Sequence, residues 1–318
     1  MNVAQILEAR TSTGFSFETL PPLKGRGIAG LFHSIDILRE FDPLYINITT
    51  HRSEMQYVPD ETGLYRKVSL RTRPGTVAVA AAIQQKYGIP TVPHLICSGF
   101  NKVETEYALI DLNFLGITNL LVLRGDKAHH ESRFIPSPGG HAHAIELEQQ
   151  INQFNRGFFL DGTKMDICTG EEFCYGVAGY PEKHEEAPNR EIDLLFLKQK
   201  VDAGAKYVVT QMFFDNESFF RFQTDCRRLG ITVPIVPALK PITKLSQLTI
   251  LPKVFHVDLP TALATELMKC TTDQQVAEVG YEWCLAQARE LVAAKVPSIH
   301  FYSLNATQSV ARVAKEIY

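Results

Sequence analysis

Glu18 stands in Phe15-Ser16-Phe17-Glu18-Thr19-Leu20, where strand alternation puts its carboxylate on the face opposite Phe15 and Phe17. If those rings pack toward helices, the carboxylate points inward. Burial there raises its pKa and keeps it protonated near neutrality, as a general acid requires. A carboxylate paired with an arginine, or capping the first helix, is the competing reading. Arg124-Gly125-Asp126 places a cation, a flexible backbone position and an anion directly after Leu120-Leu121-Val122-Leu123. The glycine would let a flat ligand approach the backbone; a surface ion pair or a helix cap would use the same residues. Gln211, in Val208-Val209-Thr210-Gln211, reads as a buried amide that needs partners for two donors and an acceptor, and a bound heterocycle could supply them.

The histidines are less telling. His94 can be a satisfied core imidazole, and His184, in Tyr180-Pro181-Glu182-Lys183-His184, can be a solvated loop residue. No HExxH pair occurs, and His141-Ala142-His143 lies in a glycine-rich loop, so three or four convergent zinc ligands are not written here. Gly25-Arg26-Gly27-Ile28-Ala29-Gly30 matches a dinucleotide fingerprint. Pro21-Pro22 lengthens its connection, however, and the next strand ends in Thr49-Thr50 with no acid for a ribose, so the stretch reads as a loop and helix start. The six cysteines (Cys97, Cys168, Cys174, Cys226, Cys270 and Cys284) lack a CxxC spacing and read as free thiols.

Elements that could bring these residues together are written as a repeat. Short β-branched or aromatic runs alternate with capped helices that stop at Gly88, Gly116, Gly204 and Gly230. Strands are expected over 15–20, 45–50, 91–97, 117–123, 174–180, 207–213, 233–239 and 298–302. Eight parallel strands joined by helical crossovers close most naturally into a (β/α)8 TIM barrel, with an open doubly wound sheet as the alternative. Asn101 and Glu104 form an expected capping box, with Val103, Tyr107, Ile110 and Phe114 on the inward face. Asn189 is expected to cap a helix burying Leu194, Leu197 and Val201, and Asp215 one burying Phe219, Phe222, Cys226 and Leu229. Extra helices, including 274–294, precede the last strand, and long segments over 51–76 and 125–140 follow strand ends where barrel enzymes build sites. Those ends carry Glu18, Thr49, Thr50, Arg124, Gly125, Asp126, Tyr180, Gln211, Lys240, Tyr302 and Asn305, with His94 near mid-strand.

Composition narrows the class. A chain of 318 residues, 45% hydrophobic and 21% charged, can bury a large core, and no linker divides it, so residues 1–318 read as one domain. A formal charge of −3 without a basic run argues against nucleic acid or an anionic bilayer as partner. The absence of a signal-like start and of an apolar run near the ~18 residues needed to span a bilayer makes the expected location cytoplasmic.

Taken in order, these motifs resemble methylenetetrahydrofolate reductase. The similar stretches are Phe15-Ser16-Phe17-Glu18-Thr19-Leu20-Pro21-Pro22, Pro93-His94-Leu95, Leu123-Arg124-Gly125-Asp126, Tyr180-Pro181-Glu182-Lys183-His184, Lys198-Gln199-Lys200-Val201-Asp202-Ala203-Gly204-Ala205, Thr210-Gln211-Met212-Phe213-Phe214-Asp215 and Phe301-Tyr302-Ser303-Leu304-Asn305. The resemblance implies a barrel holding noncovalent FAD at the strand C-termini. NADH or NADPH reduces the flavin, and 5,10-methylenetetrahydrofolate reoxidises it in a ping-pong scheme, giving 5-methyltetrahydrofolate for methionine synthesis. It makes Glu18 the acid that protonates N10 as the folate ring opens to a 5-iminium cation, which the flavin N5 hydride reduces. Asp126 corresponds to a carboxylate near the flavin pyrimidine and the pterin, favouring the cation while opposing flavin reduction. Gln211, Gln247 and Tyr302 are then substrate-binding, and Thr49, Thr50, His94, Arg124, Gly125, Asp126, His143, Ala144, Tyr180, His184, Ala187, Asp193 and Lys200 are FAD-binding. The family reading makes the chain a homo-oligomer.

The sequence departs from the family at Gln199, often arginine; Phe196, often a polar FAD contact; His143, often tyrosine; Ala306, where arginine can follow; and Leu251, often aromatic. Ending soon after the last strand, it is expected to be the catalytic barrel without the regulatory domain of animal relatives. A different flavin barrel, acting on an amine such as proline, and a barrel that binds folate or flavin without turnover are the alternative readings.

Overall fold

The computed structural model describes residues 1–128, 131–166, 171–304 and 306–318; Cys168 and Asn305 lie outside them. In chain order the strands are β1 Gly14–Thr19, β2 Ile46–Ile48, β3 Glu54–Pro59, β4 Tyr65–Leu70, β5 Thr91–Ile96, β6 Asn119–Leu123, β7 Cys174–Gly179, β8 Tyr207–Met212, β9 Ile235–Leu239 and β10 Ser298–Tyr302. The helices are α1 Val3–Glu8, α2 Ala29–Leu38, α3 Thr76–Tyr87, α4 Lys102–Phe114, α5 Ala144–Asn155, α6 Arg190–Ala203, α7 Asn216–Arg228, α8 Gln247–Phe255, α9 Thr261–Met268, α10 Asp273–Ala293 and α11 Thr307–Ile317.

Eight strands close a barrel in the order β1-β10-β9-β8-β7-β6-β5-β2, while β3 and β4 pair separately as an antiparallel hairpin. Every expected strand is present, and the open-sheet alternative is set aside. The hairpin was not expected; it occupies the long segment after β2. By contacts the residues cluster into two compact units.

The first unit comprises Met1–Thr19, His33–Asn47 and Cys174–Tyr318. Phe15, Phe17 and Phe301 are each at most 1% exposed, and the Phe15 ring centroid lies 5.7 Å from Phe17 and 5.5 Å from Phe301. Asn189 caps α6 and Asp215 caps α7 through their side chains, as expected. Leu194, Leu197, Phe219, Phe222 and Cys226 are buried, but Leu229, just past the end of α7, is 37% exposed and Val201 is only partly buried. The extra helices α8, α9 and α10 enclose Ile242, Leu251, Leu263, Leu267 and Val276, with Trp283 packed against them. The Trp283 indole N–H donates to the Phe214 carbonyl at 2.9 Å.

The second unit comprises Leu20–Phe32 and Ile48–Phe173. Gly25, in the glycine-rich stretch, has a positive φ, and a Cβ there or at Gly27 or Gly30 would meet nothing within 4 Å, as suits a loop leading into α2. The capping box of Asn101 and Glu104 is formed. The expected inward face of α4 is corrected: Val103, Tyr107, Ile110 and Phe114 are 44%, 61%, 40% and 89% exposed, and Thr105, Leu109 and Leu112 are buried instead. The helix carries two apolar stripes on opposite sides, and the Thr105-Leu109-Leu112 stripe is the one turned inward. Among the described residues no helix is long and apolar enough to cross a membrane, and Cys97, Cys174, Cys226, Cys270 and Cys284 are free.

Candidate functional site

In the first unit Glu18 is 4% exposed at the end of β1. Desolvation pushes its carboxyl up to about 8, against the opposing charge of Lys240. The backbone beside it is fixed by Ser303, whose hydroxyl donates to the Glu18 carbonyl at 2.6 Å. Glu18 is in register with Tyr302 on β10. The Tyr302 phenol donates to the Thr210 carbonyl at 3.1 Å, and burial and then the Glu18 charge hold it protonated far above the ordinary tyrosine range. One layer deeper, the Ser16 hydroxyl and His300 Nδ1 are 3.0 Å apart, and the His300 ring stacks on Tyr45 with centroids 6.2 Å apart. Asn47 is fully buried, and both polar atoms of its amide lack a hydrogen-bond partner among the described residues.

Other expected residues of this unit form a second group. The His184 backbone N–H donates to Asp193 Oδ2 at 3.0 Å, and the Tyr180 and His184 rings meet edge to face at 4.8 Å. Ala187 is buried nearby, and Lys183 ties this loop by donating to the carbonyls of His184, Glu185 and Ala187. Lys200 donates to the Ala178 carbonyl at 2.8 Å. Gln211 corrects the expectation of a buried amide: it is only partly buried, and its Oε1 accepts from the neighbouring Met212 N–H at 2.9 Å. An amide that folds back on the adjacent backbone satisfies its oxygen locally and leaves its NH2 group as the donor toward the site. Gln247 likewise closes the turn before α8, its Oε1 accepting from Thr243 N–H at 2.7 Å and Lys244 N–H at 3.0 Å.

In the second unit Thr50 Oγ1 donates to the His94 carbonyl at 2.5 Å. His94 is 5% exposed, and its Nε2 has no hydrogen-bond partner among the described residues. Desolvation, with the nearby charge of His51, lowers the imidazole to about 3, so it stays neutral. Thr49 is partly buried. Arg124 and Gly125 are partly buried and Asp126 is exposed. Gly125 has φ 79°, and a Cβ there would lie 2.9 Å from Ser98 Cβ and 3.2 Å from Ile96 Cβ. What approaches this glycine is therefore the protein's own side chains. His143 is the exposed N-cap of α5, without a side-chain cap bond, and Ala144 is the first residue of that helix.

Ser98 was missed by sequence reasoning. Its hydroxyl donates to the Asp126 carbonyl at 2.6 Å and accepts from Arg52 at 3.3 Å, and Arg52 reaches Glu131 at 3.7 Å. The signal available was only a serine two residues past a strand. Ser98→Ala is expected to lower stability by about 1–2 kcal/mol, because it leaves a part-buried carbonyl unpaired. Urea unfolding checks this, and an unchanged midpoint would show that the bond holds nothing.

With this geometry in hand, the methylenetetrahydrofolate reductase family profile matches residues 2–318. The chain belongs to this family. It is 30% identical over 307 residues to methylenetetrahydrofolate reductase (NADH) 1 of Arabidopsis thaliana, covering 93% of this chain and 47% of that protein. A probable methylenetetrahydrofolate reductase (NADPH) of Caenorhabditis elegans is also 30% identical, over 95% of this chain and 42% of its own length. The chain thus spans about half the length of the first curated relatives it matches. The 5,10-methylenetetrahydrofolate reductase of Pectobacterium carotovorum is 27% identical and is covered over 88% of its length, with 94% of this chain. Among solved structures, a Clostridium thermocellum protein that binds two copies of 5-methyl-5,6,7,8-tetrahydrofolic acid shares the fold, with a TM-score of 0.61 at 15% identity over 98% of both chains.

Proposed function

We propose that this chain is an FAD-dependent methylenetetrahydrofolate reductase that uses NADH or NADPH, with Glu18 as its general acid. The observation that carries the reading is a carboxylic acid buried at the end of β1 and raised to about 8, in a chain of this family and at the position where the sequence resemblance implies the acid. A carboxyl of that acidity is protonated at neutral pH and can deliver its proton to a substrate amine nitrogen.

FAD fits the residues present on one direct observation: the neutral His94 imidazole offers a buried Nε2 with no partner among the described residues, suited to a single hydrogen bond with a heterocycle. The residues that the resemblance gives to the cofactor are Thr49, Thr50, His94, Arg124, Gly125, Asp126, His143, Ala144, Tyr180, His184, Ala187, Asp193 and Lys200. When bound, FAD supplies the carrier that accepts hydride from NAD(P)H and passes it to the folate. Asp126 places a negative charge where a cationic folate would be favoured. Gln211 and Gln247 present their NH2 groups to substrate, their oxygens being engaged internally. Tyr302 helps to orient Glu18 and the substrate. Residues 1–318 act as one catalytic barrel domain, cytoplasmic and homo-oligomeric, and the product feeds methionine synthesis.

The test is anaerobic. Purified protein with FAD should bleach on adding NADH or NADPH and regain its yellow colour on adding methylenetetrahydrofolate. Bleaching without folate-dependent recovery would refute the reading and favour a flavin barrel with another substrate. The rate of recovery should also fall as pH rises through about 8, because the acid is lost there.

A further inference from the structure

The rim of the first unit holds a charged residue that the family motifs leave without a role. Phe17 is in register with Phe301, and Phe301 with Leu239. These three are 1%, 0% and 0% exposed. The next residues on β1 and β10 are Glu18 and Tyr302, which alternation turns to the opposite face, and Lys240 is the first residue past the end of the neighbouring β9. Lys240 is partly buried, and the hydrogen bond it makes among the described residues is a long one, to the Leu304 carbonyl at 3.4 Å. A partly desolvated ammonium with three donors and one weak acceptor is under-satisfied by its own backbone.

Resting on the assignment of Glu18 as the acid, we propose that Lys240 is a positioning residue whose ammonium holds the Glu18 carboxylate in the rim row and stabilises it between turnovers. Once Glu18 has given its proton to the substrate nitrogen, it is a buried anion. Lys240 compensates that charge until a proton returns from water. The electrostatics agree in both directions: Lys240 lowers the Glu18 acid against its burial, and Glu18 raises Lys240 against the burial of the ammonium. The other titratable groups in this neighbourhood are the buried Tyr302 phenol, which feels the charges of Glu18 and Tyr180, and the buried Cys284 thiol of α10, which interacts with Lys240. Burial raises both the Tyr302 phenol and the Cys284 thiol and keeps them neutral near pH 7, which leaves Lys240 as the basic side chain facing Glu18.

The experiment titrates both partners in the full chain. The Glu18 carboxyl is followed by infrared difference spectroscopy, its band identified by its loss in Glu18→Gln. In Lys240→Met the Glu18 midpoint should rise by at least one pH unit, a tenfold weaker acid, and the high-pH limb of kcat should move with it while the KM for folate stays within about twofold. Lys240→Arg should restore both to within a few tenths of a unit. The reciprocal measurement needs no change at Lys240: its side-chain nitrogen, followed by NMR, should titrate lower in Glu18→Gln than in the wild type. A Glu18 midpoint unmoved in Lys240→Met, or a Lys240 midpoint unmoved in Glu18→Gln, overturns the proposal. If both midpoints move but Glu18→Gln still reduces folate, the coupling stands and the acid assignment falls instead.

Discussion

Glu18→Gln is expected to leave flavin reduction by NAD(P)H within a few-fold of wild type and to slow reduction of methylenetetrahydrofolate by about 10²–10⁴, the usual contribution of a positioned acid. The amide fills the same volume, keeps the Ser303 bond to the backbone carbonyl, and cannot give up a proton at neutral pH. Stopped-flow measurement of the two half-reactions separates them; equal loss in both would refute a specific acid role. The same variant has a stability signature. Because the folded-state acid lies at about 8 and its ordinary value is 4.5, the native chain holds this proton more tightly than the unfolded chain does. Stability from this group is therefore full below about 4.5 and is lost as pH rises through about 8. Glu18→Gln should remove that loss, so the difference in urea midpoint between variant and wild type should grow from pH 5 to pH 9.

Gly280→Ala is the second large effect, and it acts on folding. On helix propensity alone alanine would stabilise the interior of α10 by about 1 kcal/mol. A Cβ at this position, however, would lie 1.9 Å from the Ile242 carbonyl oxygen and 2.8 Å from its carbonyl carbon, and backbone on both sides leaves neither partner free to rotate away. The helix must then retreat from Ile242, opening the cluster of Leu251, Leu263, Leu267 and Val276. A net destabilisation of about 3 kcal/mol or more is expected, at the upper end for overpacking. It is read as a fall in Tm and in urea midpoint; a raised Tm would show that the close contact does not exist.

Much of the fold was legible because the strands are short apolar runs, and four of them, β5, β6, β8 and β9, follow a helix that stops at glycine, a pattern local enough to read one unit at a time. The left-handed conformations of Gly88, Gly116 and Gly230 supply that punctuation. The inward face of α4 was misread because Val103, Tyr107, Ile110 and Phe114 repeat at helical spacing as well as Leu109 and Leu112 do, and periodicity cannot say which stripe meets a strand. The β3–β4 hairpin was also readable in principle. Asp60 accepts from the Thr62 and Leu64 N–H groups, and Gly63 takes φ 81°, the signature of a short turn between two strands. At the site, alternation set Glu18 opposite Phe15 and Phe17, and the burial of those rings between strand and helix decides between the inward acid and the paired or capping carboxylate. The bond from Ser98 to Asp126 and the row shared by Tyr302 and Lys240 depend on register between strands distant in sequence, which no local pattern records.

With one tryptophan in 318 residues, the chain carries its own optical probe. The Trp283 indole, tethered to the Phe214 carbonyl and packed beside the α8–α10 cluster, makes intrinsic fluorescence report on that packing alone. Any event that loosens α10 should red-shift emission, whereas rearrangements confined to residues 48–173 should be silent in the same channel.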